Sequence, residues 1–429
     1  MTGRHPYQPL FNSQWQVAEA KYLYDILLGK MLQPEPQSPE DCSVPYLRAA
    51  NVQWMNVRTE DIANMYASPK EIENCAVRPG DLLVCEGGEV GRAAVCPAGL
   101  PPETIIQNAI HRVRSKNGNS TRYLGYLLSH IASSGWFEVL CNKATIAHFT
   151  VEKFGDLLLG YPRPESQERI ADYLDRETTR LGCLVDEKQR QIGPLAEKRR
   201  GLIAKAVTQG IRLNAPLRDS GIRWIGEIPV SWRVERAKWL FTERDDRSES
   251  GDEELLSVSH LTGVTSRAEK NVNMFMAESL EGYKRCETGD LVINTLWAWM
   301  GAMGVTRQPG IVSPAYNVYQ PVPELDPEYI DLMVRTPRFA EEITRYSKGV
   351  WSSRMRLYPE GLYEAWLPVP PKEEQQAIVA HIMQETEKID AFTQATEQTI
   401  ALLKVRRSAL ISAAVTGSLI FTPKTLIEE

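Results

Sequence analysis

No apolar run in this 429-residue chain is long enough to span a bilayer. The opening MTGRHPYQPL lacks the apolar core of a signal peptide, so a cytoplasmic location is expected. Histidine is scarce, six residues in all, and none shows zinc-ligand spacing. The seven cysteines (Cys42, Cys75, Cys85, Cys96, Cys141, Cys183, Cys286) are odd in number, widely spaced and without a Cys-x-x-Cys. Cys75, Cys85 and Cys96 share one strand-rich stretch, which would suit a metal. Small buried thiols in a reducing compartment explain them better, and no metal is expected. Positive charge is also short: a net charge of −6 and a pI of about 5.7 exclude a protein that coats nucleic acid by bulk electrostatics. A sequence reader with local basic patches is not excluded.

What the chain does have is itself, twice. Pro162 to Ile211 is rewritten at Pro370 to Leu419 with one offset, that of Thr208 onto Thr416, and no gap. Pro162 falls on Pro370, Glu165 on Glu373, Gln167 on Gln375, Ile170 on Ile378, and Ala206-Val207-Thr208 on Ala414-Val415-Thr416. A repeat unit of half the chain implies a duplicated molecule, not a solenoid. The half-units match as well. WQVAEAKYLY from Trp15 answers WRVERAKWLF from Trp232, and VRPGDLLVCEGGEVGRAAVC answers CETGDLVINTLWAWMGAMGV. Each of the latter pair reads as a turn, an apolar strand, a loop and a second strand. The strands are Leu82-Leu83-Val84 and Leu291-Val292-Ile293, and a further strand is expected at Val44 to Arg48. A helix at Arg122 to His130 is echoed at Glu328 to Thr336. Both halves close on an apolar strand running into proline, DLLLGYPRPE and EAWLPVPPKE. Proline ends a strand ladder and suits the start of a helix, where Glu165 and Glu373 meet the helix dipole.

The repeated element predicts a long helix. Leu174, Leu181, Leu195 and Leu202 stand at heptad steps, as do Ile382, Ile389, Leu403 and Leu410. Val185, Ile192 and Ala206 fill the companion seam of the first copy, and Ile400 and Ala414 that of the second. Such heptads mark a coiled coil, and the polar steps Lys188 and Thr396 are suited to fixing its register. Gly193-Pro194 should kink the first helix, and Gly210 should stop it. About 45 residues at ~1.5 Å each give a rod on the order of 65 Å. The fold class expected is α+β: two globular domains joined by two long helices in an antiparallel coiled coil with an approximate two-fold.

In this order and duplicated, IGEIPVSWRVERAKWL, WLPVPPKEEQQAI, the repeat Lys198-Arg199 to Thr208 with Arg406-Arg407 to Thr416, and GDLVINTLWAWMGAMGVTRQPGIVSPAYNVY resemble a specificity subunit of a type I restriction-modification system. The resemblance covers nearly the whole chain. It implies target-recognition domains at 1–161 and 213–367, long helices at 162–212 and 368–421, and a tail at 422–429. It further implies that each domain reads one half of a bipartite site in double-stranded DNA, and that the helices set the spacer. Two methyltransferase subunits would dock on the helices and bind S-adenosylmethionine, and restriction subunits using ATP would join them. The chain itself would bind no cofactor, enter no membrane and catalyse nothing. The residues agree about catalysis. Pro101-Pro102 and Pro370-Pro371 lack the Asn of an adenine methyltransferase motif, and the glycines of Glu86 to Gly91 lack the Lys-Ser/Thr of a phosphate loop. This chain departs from the family pattern at Gly193-Pro194 and in a first domain without the Ile-Gly-Glu-Ile-Pro lead-in. A coiled-coil scaffold whose globular domains bind proteins is the competing reading.

Base edges are read by Arg, Lys, Asn, Gln, Ser and Thr. Two loops per domain offer them at matching positions. In the first domain they are the Gly-rich turn with Arg92 and the segment with Asn142, Lys143, Thr145 and His148. In the second they are Asn294, Trp297 and Trp299, and the segment with Lys348, Ser352, Ser353, Arg354 and Arg356. Gln107 and Asn108 are further candidates. Trp297 and Trp299 alternate as strand residues do, which would turn one of them into the core. The acidic stretch Glu243 to Glu254 is expected to lie away from DNA, and Lys198-Arg199-Arg200 to face solvent, carboxylates or a partner.

Overall fold

The computed structural model describes residues 12, 14–137, 148–268, 279–349 and 355–419. It divides into two compact units, residues 1–188 with 398–429, and residues 189–397. Each unit therefore holds one globular domain, the start of one long helix and the end of the other. No helix among the described residues is long and apolar enough to cross a membrane.

The two domains are built on one plan. In the first unit a four-stranded antiparallel sheet has the order Tyr24–Leu28, Ile110–Ser115, Leu82–Cys85, Ala93–Val95. In the second the order is Phe241–Arg244, Tyr316–Pro321, Leu291–Asn294, Met303–Val305. The strands predicted from Leu82 and Leu291 are buried at every residue, as continuous apolar runs should be when both sheet faces are covered. Beside this sheet, a two-stranded ribbon joins the start of the domain to its end. Gln16–Glu19 pairs Leu158–Tyr161, and Arg233–Arg236 pairs Trp366–Val369. The expected strand near Val44 is Cys42–Leu47, the centre of a smaller sheet. The expected helices are Thr121–Ser133 and Pro327–Val334, and Pro337–Tyr346 follows the latter as a separate helix. Ser120 and Asp326 cap them, each accepting hydrogen bonds from backbone N–H groups of the first turn.

The long helices span Pro164–Gln209 and Lys372–Val415. Pro194 lies inside the first, which continues through it to the predicted stop at Gly210, held at φ +73°. Gly417, at φ +75°, stands just beyond the end of the second helix. A side chain at Gly210 would press on Trp232, and one at Gly417 on Asn12 and Trp15, so both positions need glycine for backbone and for space. In the first unit Ile170 and Leu174, early in the first helix, share a core with Ile411, Ala414 and Val415, late in the second. In the second unit Ala206 and Val207 pack with Ile378 and Ile382. Within each unit the helices thus run antiparallel. Heptad residues Leu174, Leu181, Ile382 and Ile389 are buried, and so is Thr396, whose hydroxyl donates to Phe392 O of its own helix.

One amide fixes each helix to its domain. Gln167 is wholly buried; its Oε1 accepts from the backbone N–H of the cap residue Ser120 (2.8 Å), and its Nε2 donates to Asn119 Oδ1 and Pro162 O (both 2.9 Å). Gln375, also wholly buried, accepts from the N–H of the cap residue Asp326 (2.8 Å) and donates to Pro370 O (2.9 Å) and Glu324 O (3.1 Å). The far end of each helix meets a tyrosine of the domain in that unit. Tyr123 donates to Val415 O at 3.2 Å and to Gly160 O at 3.1 Å, and Tyr329 donates to Val207 O at 2.8 Å.

Replacing Gln375 with leucine, close in volume, strands the Asp326 N–H and two carbonyls, at a cost of about 1–3 kcal/mol per unsatisfied group. The expected result is a fall in the unfolding midpoint of about 2–4 °C for each kcal/mol lost. Gln376→Leu, at an exposed neighbour, serves as the control. Equal midpoints for the two variants would deny the amide its structural role.

Candidate nucleic-acid interface

The site is assembled by one backbone hydrogen bond found in both units. Phe149 N–H donates to Glu86 O at 2.8 Å, and Leu357 N–H donates to Thr295 O at 3.0 Å. Glu86 and Thr295 each follow a fully buried sheet strand, and Phe149 and Leu357 each follow the second predicted loop. The two candidate loops of each domain are therefore stitched together at their bases. Phe149 is anchored among Phe137 and Phe154, with ring centroids 4.9 and 4.7 Å away, and Leu357 is buried in the main core of its unit.

In the second unit, Lys348 and Arg356 form an antiparallel bridge, each N–H donating to the other's carbonyl at 2.9 Å. Both side chains are exposed, and the Lys348 ammonium lies 5.7 Å from the Tyr358 ring centroid. Trp297 and Trp299 do not lie on a strand, contrary to their alternation. Trp297 precedes the short 3-10 helix Ala298–Met300, whose buried residue is Ala298. The two indoles stack instead, with centroids 6.3 Å apart and planes 20° from parallel. Trp299 is held by its indole N–H, which donates to Leu296 O, and by Thr344 Oγ1, which donates to Trp299 O. Trp297 remains 51% exposed, so its ring is open to solvent. Asn294 turns inward, donating to the Tyr316 hydroxyl and accepting from Leu296 N–H, so it shapes the loop.

In the first unit, Arg92 also turns inward. It pairs with Glu89 at 3.1 Å and donates to Ala49 O at 2.9 Å. Gly91 beside it has φ +77°, and a Cβ there would stand 2.2 Å from the Phe137 ring. This explains a glycine-rich turn with no phosphate to hold. His148 is exposed, so it is not the satisfied interior group that a lone histidine often is. Gln107 and Asn108 are half-buried, and their backbone N–H groups donate to Leu47 O and Lys30 O beside the smaller sheet. Asn142, Lys143, Thr145, Ser352, Ser353 and Arg354 lie outside the described residues.

The acidic stretch is occupied locally. Glu253 pairs with Arg285, Glu243 with Lys284, and Glu254 accepts from Ser266. Arg199 and Arg200 likewise meet carboxylates, of Asp390 and Glu197. Among the described residues no group of three or more His, Cys, Asp or Glu side chains is arranged to hold a metal ion. Cys75, Cys85, Cys96 and Cys286 are buried, and burial pushes the Cys96 and Cys286 thiols up to about 12. Cys42 and Cys183 are exposed, against the expectation of buried thiols.

Residues 12–182 match the family model described as the type I restriction modification DNA specificity domain. The chain carries a type I restriction-modification DNA specificity domain. A structure concerned with complex assembly and conformational transition of the type I R-M system is similar, with TM-score 0.68 and 16% identity, over 96% of this chain and 100% of that one. The HsdS subunit from Thermoanaerobacter tengcongensis has TM-score 0.58 and 16% identity, over 97% of this chain and 100% of its own. At such identity the likeness concerns the fold. No curated protein matches the chain in sequence.

One group missed in the sequence stands behind the stitch of the first unit. His111 is fully buried, and its Nε2–H donates to Phe149 O at 2.7 Å, while Nδ1 has no partner. Burial, the largest influence, holds its pKa below the usual histidine value, against the Phe149 hydrogen bond and the charges of Glu86 and Glu152. Its signal in the sequence is only a polar residue in the strand Ile110–Ser115. In the unfolded chain the imidazole titrates near ~6.5. Below that value the unfolded state binds the proton first, so folded stability falls as pH drops from about 6.5 toward the lower folded pKa. Thermal midpoints of the intact chain should decline on acidification through that window. His111→Asn, which retains an N–H donor, should flatten the decline. An unchanged slope in that variant would remove His111 from the linkage.

Proposed function

We propose that each domain reads one half of a split DNA sequence through its stitched pair of loops, and that the two long helices set the spacer between the halves. The stitch carries this reading. In both units it joins the residue after a buried sheet strand to the residue that ends the second loop, while the loop sequences differ. Two different half-sites require that difference. In the second domain, Lys348 and Arg356 supply phosphate or base-edge contacts, and the Trp297 face supplies stacking or thymine-methyl contact. In the first domain, His148 and the polar residues Asn142, Lys143 and Thr145 take that part.

Two methyltransferase subunits dock on the chain and bring S-adenosylmethionine, and restriction subunits bring ATP. The chain itself performs no catalysis and binds no cofactor, since its sequence lacks both the Asn-Pro-Pro-aromatic motif and a phosphate loop. It works in the cytoplasm, where the DNA is.

Purified with a cognate adenine methyltransferase subunit, the chain is expected to direct methylation to a split motif, read by sequencing methylated DNA. Methyl transfer by the chain alone, or methylation without a split motif, would refute the assignment. Insertion of one heptad in each long helix is expected to alter the preferred spacer while leaving both half-sites intact. An unchanged spacer would reject the helices as the ruler.

A further inference from the structure

Each domain carries a hairpin that lies outside both of its candidate loops and is held in the same place in the two units. In the first unit Val52–Gln53 pairs with Asn56–Val57, and in the second Leu256–Ser259 pairs with Gly263–Ser266. Each hairpin follows a leucine paired in parallel with an isoleucine, Leu47 with Ile106 and Leu255 with Ile311. The same position of the capped helix meets each tip. Gly125 and Asp331 stand two residues beyond Tyr123 and Tyr329. Gly125 lies against Met55, whose sulfur is 3.9 Å from where a Cβ would stand. Asp331 instead accepts from Arg335 Nη1 at 3.2 Å and from Val305 N–H of the sheet at 2.9 Å. Arg335 Nη2 then donates to Leu261 O at the tip, at 2.9 Å.

The tips are fixed, yet they face solvent. Met55 holds φ +60°, a costly conformation for a residue with a side chain, and its N–H donates to Ala93 O at 2.9 Å. In the second unit Thr262 N–H donates to Ser259 Oγ at 3.1 Å, and the Ser259 and Thr262 hydroxyls lie 2.9 Å apart. Asn56 and His260 are exposed, and Leu261 is 75% exposed. Each tip also reaches the first candidate loop of its unit. The Trp54 indole N–H donates to Glu89 Oε1 at 2.5 Å, and Glu89 is the carboxylate that pairs with Arg92. In the second unit His260 and Leu261 share a cleft of about 640 Å³ with Trp299, Arg199, Arg200 and Arg335. Its acids are Asp331, already engaged as above, and Glu341. Arg199 and Arg200 meet exposed carboxylates, which a phosphate can replace at small cost. Positive charge beside an exposed tip suits DNA, whose phosphates flank every base.

We propose that the hairpin tip is a third base-reading element of each domain, with Asn56 reading in the first unit and His260 and Leu261 in the second. This rests on the split-site reading above and extends it to residues outside the two candidate loops. The Asn56 amide offers a donor and an acceptor together, the pair that an adenine edge requires. His260 offers a ring nitrogen to a base edge, and Leu261 an apolar contact to a thymine methyl group. The hairpins are held alike while the tips differ, Trp54-Met55-Asn56 against His260-Leu261-Thr262, as two different half-sites demand.

The test gives the intact chain, with its methyltransferase subunit and S-adenosylmethionine, a DNA library of randomised sequence, and sequences the methylated molecules. Asn56→Ala is expected to relax the preference at one position of one half-site by roughly 5- to 150-fold, with the other half-site and the spacer unchanged. His260→Ala and Leu261→Ala should relax the opposite half-site, while Leu261→Met, which keeps an apolar contact, should retain the preference. All four variants should keep the wild-type unfolding midpoint, since the side chains changed are exposed. Unchanged base preference in the three alanine variants would overturn the proposal and leave the two-loop reading standing. Methylation weakened by one factor on every sequence, with the motif intact, would overturn it by reducing the tip to a backbone contact. A wild-type chain that selects no split motif would overturn the split-site reading itself.

Discussion

A buried side-chain amide holds this molecule together at two matching points. Gln167 and Gln375 each satisfy a helix-cap N–H and a carbonyl from the proline-ended strand before the long helix. An amide in a dry interior is worth little while all its hydrogen bonds are made, and costs much when one is left open. The start of each long helix is therefore locked to the cap of the domain's own helix. The tyrosine one turn on from that cap, Tyr123 or Tyr329, in turn accepts the end of the opposite helix by donating to its last-turn carbonyl. Within each unit, a few residues thus set where one helix begins and the other ends.

The same economy governs the candidate loops. Their bases are fixed by the Phe149–Glu86 and Leu357–Thr295 hydrogen bonds and by the buried ring or leucine behind each. In the first unit the stitch carries an added proton-sensitive support, His111 against Phe149 O. The second unit has a hydroxyl support at its stitch, Thr295 Oγ1 donating to Ala315 O, which does not titrate near neutrality.

Much of this architecture was legible in the sequence, because the signals were periodic or local. The buried strands at Leu82 and Leu291, the helix stop at Gly210 and the antiparallel helices all follow from apolar spacing, glycine placement and the repeat. The site was legible only as loops. Pattern cannot tell a long polar side chain pointing out from one pointing in: Arg92 and Asn294 turned in, while Lys348, Arg356 and His148 turned out. The indole alternation misled because the chain leaves the strand at Asn294 and tightens into a 3-10 turn before it reaches Trp299. The repeat did mark Gln167 and Gln375, but their role depends on partners up to 51 residues away, which no local pattern encodes.

The way the two halves have diverged separates what the fold requires from what it tolerates. Near the start of the first domain the ion pair is Lys21 with Asp156; in the second it is Arg236 with Glu364, the acid in the matching place and the base moved by two positions. Arg122 gathers Glu168, Asp172 and Asp175 in the first unit, where the matching helix positions of the second are Gln376, Ala380 and the exposed Met383. Exposed ion pairs contribute about 0–1 kcal/mol, so they drift, relocate or vanish at little cost. Buried glutamines and the tyrosines that meet the helix ends have no substitute of equal shape and hydrogen bonding, and at these positions the two copies agree.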